Sequence, residues 1–232
     1  MDVVYVVGAG GSDELRYSLR SLVNLPHDQV WIAGVLPDWV TGVRHIPVAQ
    51  RGNRWANAAA AWLAACNEPE VSDPFVYMND DFFVVAPMAE VPLLHRGPAA
   101  DVVKQIRTDG HRRAMADTEA WLASQRVKQV LAYDLHTPMV VGKEKFAAVL
   151  AAAAASPRRL LPKTMYGNLH VRAKGKQAAD AKVHDGELPA AELLAAGAFV
   201  STSDAAWKAV AGEQIRAMFP GPSPYELVAE AG

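Results

Sequence analysis

The sequence predicts an α/β fold, with a mostly parallel central sheet flanked by helices in a single domain. First, the short apolar runs DVVYVV, QVWIAGV and FVYM alternate with segments of helical periodicity in the first 85 residues. Second, this βαββαβ-like order is typical of parallel strands joined by crossover helices. Third, a chain of 232 residues, 51% of them hydrophobic, is long and apolar enough to form one large core.

The first strand, DVVYVV, leads into the glycine loop GAGG, and a helix follows it. Ser12 and Asp13 are predicted to cap this helix, because their side-chain oxygens suit the free N–H groups of a first turn. Pro26 ends the segment. The apolar stripe has the spacing of a helix that packs on a sheet: Leu15, Leu19, Leu22 and Val23.

The second strand is QVWIAGV, and RHIPVA is a short third strand in which Pro47 indicates an edge or an end. A second helix is predicted to begin near Asn53. The fourth strand, FVYM, follows the turn EPEVSDP. The apolar face predicted for the second helix consists of Trp55, Ala59, Trp62, Leu63 and Cys66.

Residues 86–232 are less regular. Three prolines in VAPMAEVPLLHRGPAADV predict a loop, and helices are predicted over residues 112–132 and Lys143–Ala155. MVV and AFVST are predicted strands, the second followed by a helix, and the proline-rich tail is expected at the surface. Since no internal repeat or low-complexity linker interrupts the chain, we predict one domain with two halves, residues 1–85 and 86–232.

Composition excludes several classes of protein. A net charge of −2 and a pI near 6.4 argue against a nucleic-acid-binding or lipid-binding electrostatic surface. Cys66 is the single cysteine, which excludes an internal disulfide and predicts a reducing compartment. Neither a basic leader nor an apolar run of membrane-spanning length is found, so we predict a cytoplasmic protein without a membrane span.

The stretch FVYMNDDFF places an amide and two carboxylates directly after a predicted strand. In an extended chain Asn79 and Asp81 point to the same side, and Asp80 points away. Ligands of parallel sheets bind beyond the carboxyl ends of the strands. Asp81 is therefore a candidate ligand for Mg²⁺ or Mn²⁺, bound together with substrate phosphates, and Asn79 a candidate for a sugar hydroxyl. The alternative is a solvated loop with an acidic helix cap.

The glycine loop and the two predicted helices supply candidates for binding a nucleotide. On the second helix, two asparagines lie four residues apart beside two arginines. These side chains either bind a nucleotide base or phosphate, or form a helix start with a solvated face. Arg16 and Arg20 have the same spacing on the first helix, and Arg16 is favoured because it is nearer the loop. The candidates are Gly8, Gly10, Arg16, Asn53 and Asn57, with Arg51 and Arg54 beside them. VVGAGG lacks the GxGxxG spacing, which argues against a Rossmann dehydrogenase.

The second half contains a candidate acid–base pair. Asp134 and His136 lie in YDLHTP, where a general base or an orienting group for an acceptor is predicted. His184 and Asp185 are candidates for a third metal ligand. A basic cluster suits a phosphate or a solvated surface: Lys163, Asn168, His170, Arg172 and Lys174.

Four stretches carry a resemblance to a known family. SDELRYSLRSL, VWIAGVLPDWV, FVYMNDDFF and HTP resemble, in this order, the conserved blocks of the Stealth family of capsule-type sugar-1-phosphate transferases. The resemblance covers about residues 1–140 and is specific in SDELR and NDDFF. The overall plan is also similar to a nucleotide-sugar glycosyltransferase of the GT-A type, in which an Asp-X-Asp-like element holds Mn²⁺ or Mg²⁺ against the donor diphosphate.

This resemblance implies a GT-A-like fold that binds a UDP- or GDP-sugar in residues 1–85 and an acceptor in residues 86–232. The acceptor is a hydroxyl group of a protein, a glycan or a lipid-linked precursor. Asn79 and Asp80 then join the nucleotide-sugar-binding residues, Asp81 and His184 hold the metal, and Asp134 and His136 act on the acceptor side.

The sequence of this chain departs from the family pattern at the first loop. Stealth proteins have an acidic residue there, in a pattern like V-D-G-S-D, whereas this chain has VGAGGSD. We therefore rank metal-dependent glycosyl transfer first and sugar-1-phosphate transfer second. A nucleotide-sugar-binding module without catalytic activity is a third hypothesis.

Overall fold

A computed structural model describes residues 1–10, 13–171, 175–184 and 197–227, and within them the fold is α/β. The strands are β1 (Val3–Val7), β2 (Val30–Gly34), β3 (Arg44–Pro47), β4 (Phe75–Asn79), β5 (Phe82–Val84), β6 (Leu94–His95), β7 (Met139–Val141), β8 (Lys176–Gln177), β9 (Lys182–Val183) and β10 (Phe199–Thr202). The helices are α1 (Glu14–Ser21), α2 (Arg54–Asn67), α3 (Ala99–Gln105), α4 (Asp109–Ser124), α5 (Lys143–Ala155), α6 (Pro162–His170), α7 (Asp204–Trp207) and α8 (Val210–Met218), with a 3₁₀ turn at Leu22–Asn24.

The chain divides into two compact units. The first comprises Met1–Val91, His136–Val140 and Ala181–Gly232, and the second comprises Pro92–Leu135 and Val141–Asp180. These units are interleaved along the chain, because the segment after Ala181 returns to the first unit. Their boundaries therefore differ from the predicted halves, residues 1–85 and 86–232.

The first unit is built on a five-stranded sheet with the order β3-β2-β1-β4-β7. The pairings β1–β2, β1–β4 and β2–β3 are parallel, and Val4 of β1 lies opposite Trp31 and Tyr77. Val3, Val4 and Tyr5 are fully buried. Strands covered on both faces need apolar side chains in succession, which explains why the β1 and β2 sequences are continuous apolar runs.

A second, three-stranded sheet in the first unit has the order β5-β10-β9. β10 runs antiparallel to β5 and parallel to β9. Helices α7 and α8 pack here, and the Trp207 ring stacks on Phe83 with 5.6 Å between the centroids. The predicted strand AFVST thus belongs to a separate mixed sheet, and the helix predicted after it is two shorter helices.

The two helices next to the parallel sheet, α1 and α2, differ in detail from the predicted apolar faces. α1 ends at Ser21 and continues as a 3₁₀ turn, which changes the periodicity and leaves Val23 82% exposed. On α2, Trp62 stacks on Tyr77 of β4 with centroids 3.8 Å apart, but Trp55 is 48% exposed. Trp55 lies in the first turn, before the helix reaches the sheet.

The second unit has a helical core in which α3 and α4 enclose Val102, Met115 and Leu122. α5 has the predicted bounds, whereas the helix predicted over residues 112–132 is α4 and ends at Ser124. It ends there because the chain turns at Arg126, which has a φ of 65°. No helix in the described parts of the chain is long and apolar enough to span a membrane.

Candidate functional site

The predicted acidic motif lies at the carboxyl end of β4. Asn79 is the last residue of that strand, Asp80 and Asp81 form a tight turn, and β5 begins at Phe82. Because β1 and β4 are parallel neighbours, with Val6 opposite Asn79, the loop after β1 leaves the sheet at the same edge. The sheet thus brings Gly8 and Gly10 to the edge that carries the motif, where parallel sheets bind ligands.

Asp81 is held by residues from the other end of the chain. Its Oδ2 accepts hydrogen bonds from Lys182 Nζ at 2.5 Å and from Ser201 Oγ at 2.9 Å. Lys182 also donates to the Thr202 carbonyl oxygen. The side chains of Asp81 and Lys182 are 18% and 14% exposed. Asp81 is therefore one member of a well-shielded ion pair, and Lys182 and Ser201 are site residues that the sequence did not suggest.

Glu14 extends the same network to helix α1. It is a buried residue in the first turn of that helix, and its Oε1 accepts a hydrogen bond of 2.6 Å from Thr202 Oγ1. Thr202 thus contacts Glu14 through its hydroxyl and Lys182 through its carbonyl. The network joins α1, the turn after β4 and strands β9 and β10.

Asp80 is the carboxylate of this site with the most perturbed acidity. Burial raises its pKa from the ordinary value, and the negative charges of Asp81 and Glu14 raise it further, to about 7, against the opposing charge of Lys182. The residue is half-buried, so part of it stays in contact with solvent. Near neutral pH it exchanges a proton readily, and it accepts hydrogen bonds when it is ionised.

His136 lies beside this turn in the first unit. Its ring meets Phe82 edge-on, with centroids 6.4 Å apart, and it is half-buried. The other predicted acceptor-side residue, Asp134, belongs to the second unit. There Asp134 Oδ2 lies 3.3 Å from His111 Nε2, and both side chains are about a quarter exposed. His111 is a partner of Asp134 that the sequence did not indicate.

The asparagines of the predicted nucleotide site shape the start of α2. Asn53 is the N-cap, and its Oδ1 accepts hydrogen bonds from the backbone N–H groups of Trp55 and Ala56 at 3.0 and 3.1 Å. The Asn57 amide bonds to both backbone groups of Gly52, at 2.8 and 3.0 Å. These contacts match the alternative interpretation of the two asparagines, a helix start, and a role in nucleotide binding stays a prediction.

Arg16 and Arg20 both bind Glu226, near the end of the described chain. Arg16 Nη1 lies 2.6 Å from Glu226 Oε2, and Arg20 contacts both carboxylate oxygens at 2.7 and 2.8 Å. Burial opposes ionisation of Glu226, but hydrogen bonds from Arg20, the Ser223 backbone and Arg16 outweigh burial and lower its pKa to about 2. Arg16 is thus an ion-pair partner of the tail, and its predicted contact with a phosphate stays a prediction.

The two predicted metal ligands, Asp81 and His184, have different surroundings. His184 is exposed just after β9, and Asp81 is already paired with Lys182. Two unit charges about 4 Å apart repel by about 4 kcal/mol near a protein surface, and a divalent ion next to the ammonium doubles that cost. In residues 1–10, 13–171, 175–184 and 197–227, no group of three or more His, Cys, Asp or Glu residues is arranged to hold a metal ion. Asp81 thus already has a cationic partner, and a metal ion bound by Asp81 and His184 stays a prediction.

Some predicted residues lie outside the described part of the chain: Ser12, Arg172, Lys174 and Asp185. Of the basic cluster, Asn168 bonds to the backbone of Leu131, and buried Lys163 donates to the Leu135 carbonyl oxygen at 2.6 Å. Burial, and after it the charge of Lys145, lowers the pKa of His170. These contacts lie within the second unit and support its fold.

No protein-family model matches this chain, and none of the curated proteins compared with it is significantly similar.

Proposed function

We propose that this chain is a glycosyltransferase that moves a sugar from a nucleotide-sugar donor to a hydroxyl group of an acceptor. The main support is the turn Asn79–Asp81 at the carboxyl end of β4, beside the glycine loop after β1. An amide and a half-buried carboxylate at that edge are suited to the hydroxyl groups of a sugar, because both accept hydrogen bonds from O–H donors.

The nucleotide side of the proposal rests on the loop after β1 and on the start of α2. Gly10 has a φ of 97°, a conformation that favours glycine and lets backbone N–H groups approach a phosphate. At the start of α2, the Arg54 guanidinium lies over the exposed Trp55 ring at 4.5 Å. Arg51 is exposed as well. Two guanidinium groups and an indole face are suited to the phosphates and the base of UDP or GDP.

In the proposed reaction the acceptor oxygen attacks the anomeric carbon of the donor. The bond from that carbon to the diphosphate oxygen breaks, the nucleoside diphosphate leaves with the electron pair, and the acceptor proton passes to a base. Asn79 and Asp80 would orient the sugar, and His136, next to Phe82, would act on the acceptor side. In an inverting enzyme His136 accepts the proton, and in a retaining enzyme it positions the acceptor. Asp134 remains a predicted acceptor-side residue.

The nucleotide product tests this proposal and separates it from its alternatives. UDP- and GDP-sugars are incubated with the protein and with protein, glycan and lipid-linked acceptors, in EDTA and with Mn²⁺. Release of nucleoside diphosphate supports glycosyl transfer. Release of nucleoside monophosphate indicates sugar-1-phosphate transfer of the Stealth type, and binding without either product indicates a non-catalytic module.

Two variants add a control to this test. Asp80→Asn keeps the size of the side chain but weakens hydrogen-bond acceptance, so we expect turnover to fall by at least about tenfold. Glu90→Gln changes a carboxylate that is exposed on the same unit, and we expect unchanged turnover. Equal turnover of the Asp80→Asn variant and the native chain would contradict the proposed role of Asp80.

A further inference from the structure

The Asp81 carboxylate is balanced by a cation that the chain itself supplies. Lys182 Nζ directs two of its three N–H bonds at Asp81 Oδ2 and at the Thr202 carbonyl. Ser201 donates a further hydrogen bond to the same carboxylate oxygen. This oxygen therefore has its charge and its hydrogen bonds satisfied within the fold.

We propose that the Lys182 ammonium takes the place of a divalent metal ion beside Asp81, so that this site binds a sugar donor without a metal. The identity of the ligand, a sugar donor, rests on the proposed function, and the new inference is that its binding needs no metal ion. A metal ion bound to Asp81 Oδ2 has to displace Lys182, which then loses its partner in a shielded place. Breaking such a pair is costly, because one charge is left without compensation.

The remaining charges indicate which part of the donor binds here. Lys182 compensates Asp81, while Glu14 of helix α1 and Asp80, when it is ionised, add negative charge beside the turn. Such a site repels the oxygens of a diphosphate and attracts O–H groups, which donate hydrogen bonds to carboxylates. The sugar of the donor therefore lies at Asp80, and its diphosphate lies away from Asp81.

Titration of the protein alone with MnCl₂ tests the role of Lys182. Bound Mn²⁺ is measured as the loss of the EPR signal of the free ion. We expect no binding at Asp81 in the native chain, and a gain of at least about tenfold in Mn²⁺ affinity in Lys182→Met, since removing a neighbouring cation changes ion affinity at a carboxylate by that order. The gain should disappear in the double variant Lys182→Met/Asp81→Asn. Lys208→Met removes an exposed lysine of the same unit and serves as the matched control.

Donor binding gives a second measurement that needs no variant. Calorimetric titration of the native chain with UDP- and GDP-sugars should give equal affinities in EDTA and in Mn²⁺. Mn²⁺ binding to the native chain that Asp81→Asn abolishes would overturn the inference, as would donor binding that EDTA abolishes. If no nucleotide-sugar binds in either buffer, the proposed function fails, and the Mn²⁺ titration still decides what lies beside Asp81.

Discussion

Replacing Asp80 by asparagine should stabilise the protein at pH 8 and stabilise it only about a third as much at pH 5. Burial and the charges of Asp81 and Glu14 raise the pKa of Asp80 from the ordinary 3.8 to about 7. The folded state therefore holds this proton more tightly than the unfolded chain does. The free energy of unfolding falls as the pH rises from about 4 to about 7, and above pH 7 the full cost of ionising Asp80 is present.

The magnitude follows from the two pKa values. A change from 3.8 to about 7 corresponds to about 4 kcal/mol, which is an upper limit, because partial solvent access screens the charges and reduces the effect to about 2 kcal/mol. Asparagine has nearly the same shape without the charge. We therefore expect the Asp80→Asn variant to gain about 2 kcal/mol at pH 8.

Urea-induced unfolding of both proteins at pH 5 and pH 8 measures this difference, because the change common to all other titrating groups cancels. Glu90→Gln is the control, since Glu90 is exposed and should show no pH-dependent difference. A variant that is less stable than the native chain at both pH values, or a gain of equal size at both, would refute the electrostatic account of Asp80.

Two further predictions concern residues that the structure assigns to the fold. Glu226→Gln should cost about 2 to 3 kcal/mol at pH 7, because the pKa of Glu226 is lowered to about 2 by its arginine and backbone partners despite burial. This loss should shrink as the pH falls from about 4.5 towards 2, and urea unfolding that shows the same loss at pH 3 and pH 7 would argue against it. Asn53→Ala should cost about 1 kcal/mol through loss of the α2 cap, while Asn53→Ser keeps most of the stability. Donor affinity measured on both variants separates a cap from a ligand: a large loss of affinity in the stable Asn53→Ser protein would restore the predicted nucleotide contact.

The first half of the fold was predictable because its signals are local. The apolar runs of β1, β2 and β4 and the stripe Leu15–Leu19 of α1 reflect neighbouring residues packed on one sheet, and the structure contains each of these elements. Alternation of strands and helices also predicted that the Gly8 loop and Asn79 share one edge, and the parallel pairing of β1 with β4 brings them there. The mixed sheet of β5, β10 and β9 was not predictable in this way, since it joins short segments that are distant in the chain.

In the candidate site, too, some features follow from the local sequence and others only from long-range contacts. The chain order places two carboxylates after a buried strand, and elementary electrostatics requires that something compensate them. Which group does so depends on contacts across 101 residues to Lys182 and 120 residues to Ser201, and no periodicity or spacing encodes such contacts. Likewise, Arg16 and Glu226 meet across 210 residues. Local patterns thus identified the strands and the acidic turn, whereas the partners of each charge became visible only in the folded chain, because packing brings together side chains that are far apart in the sequence.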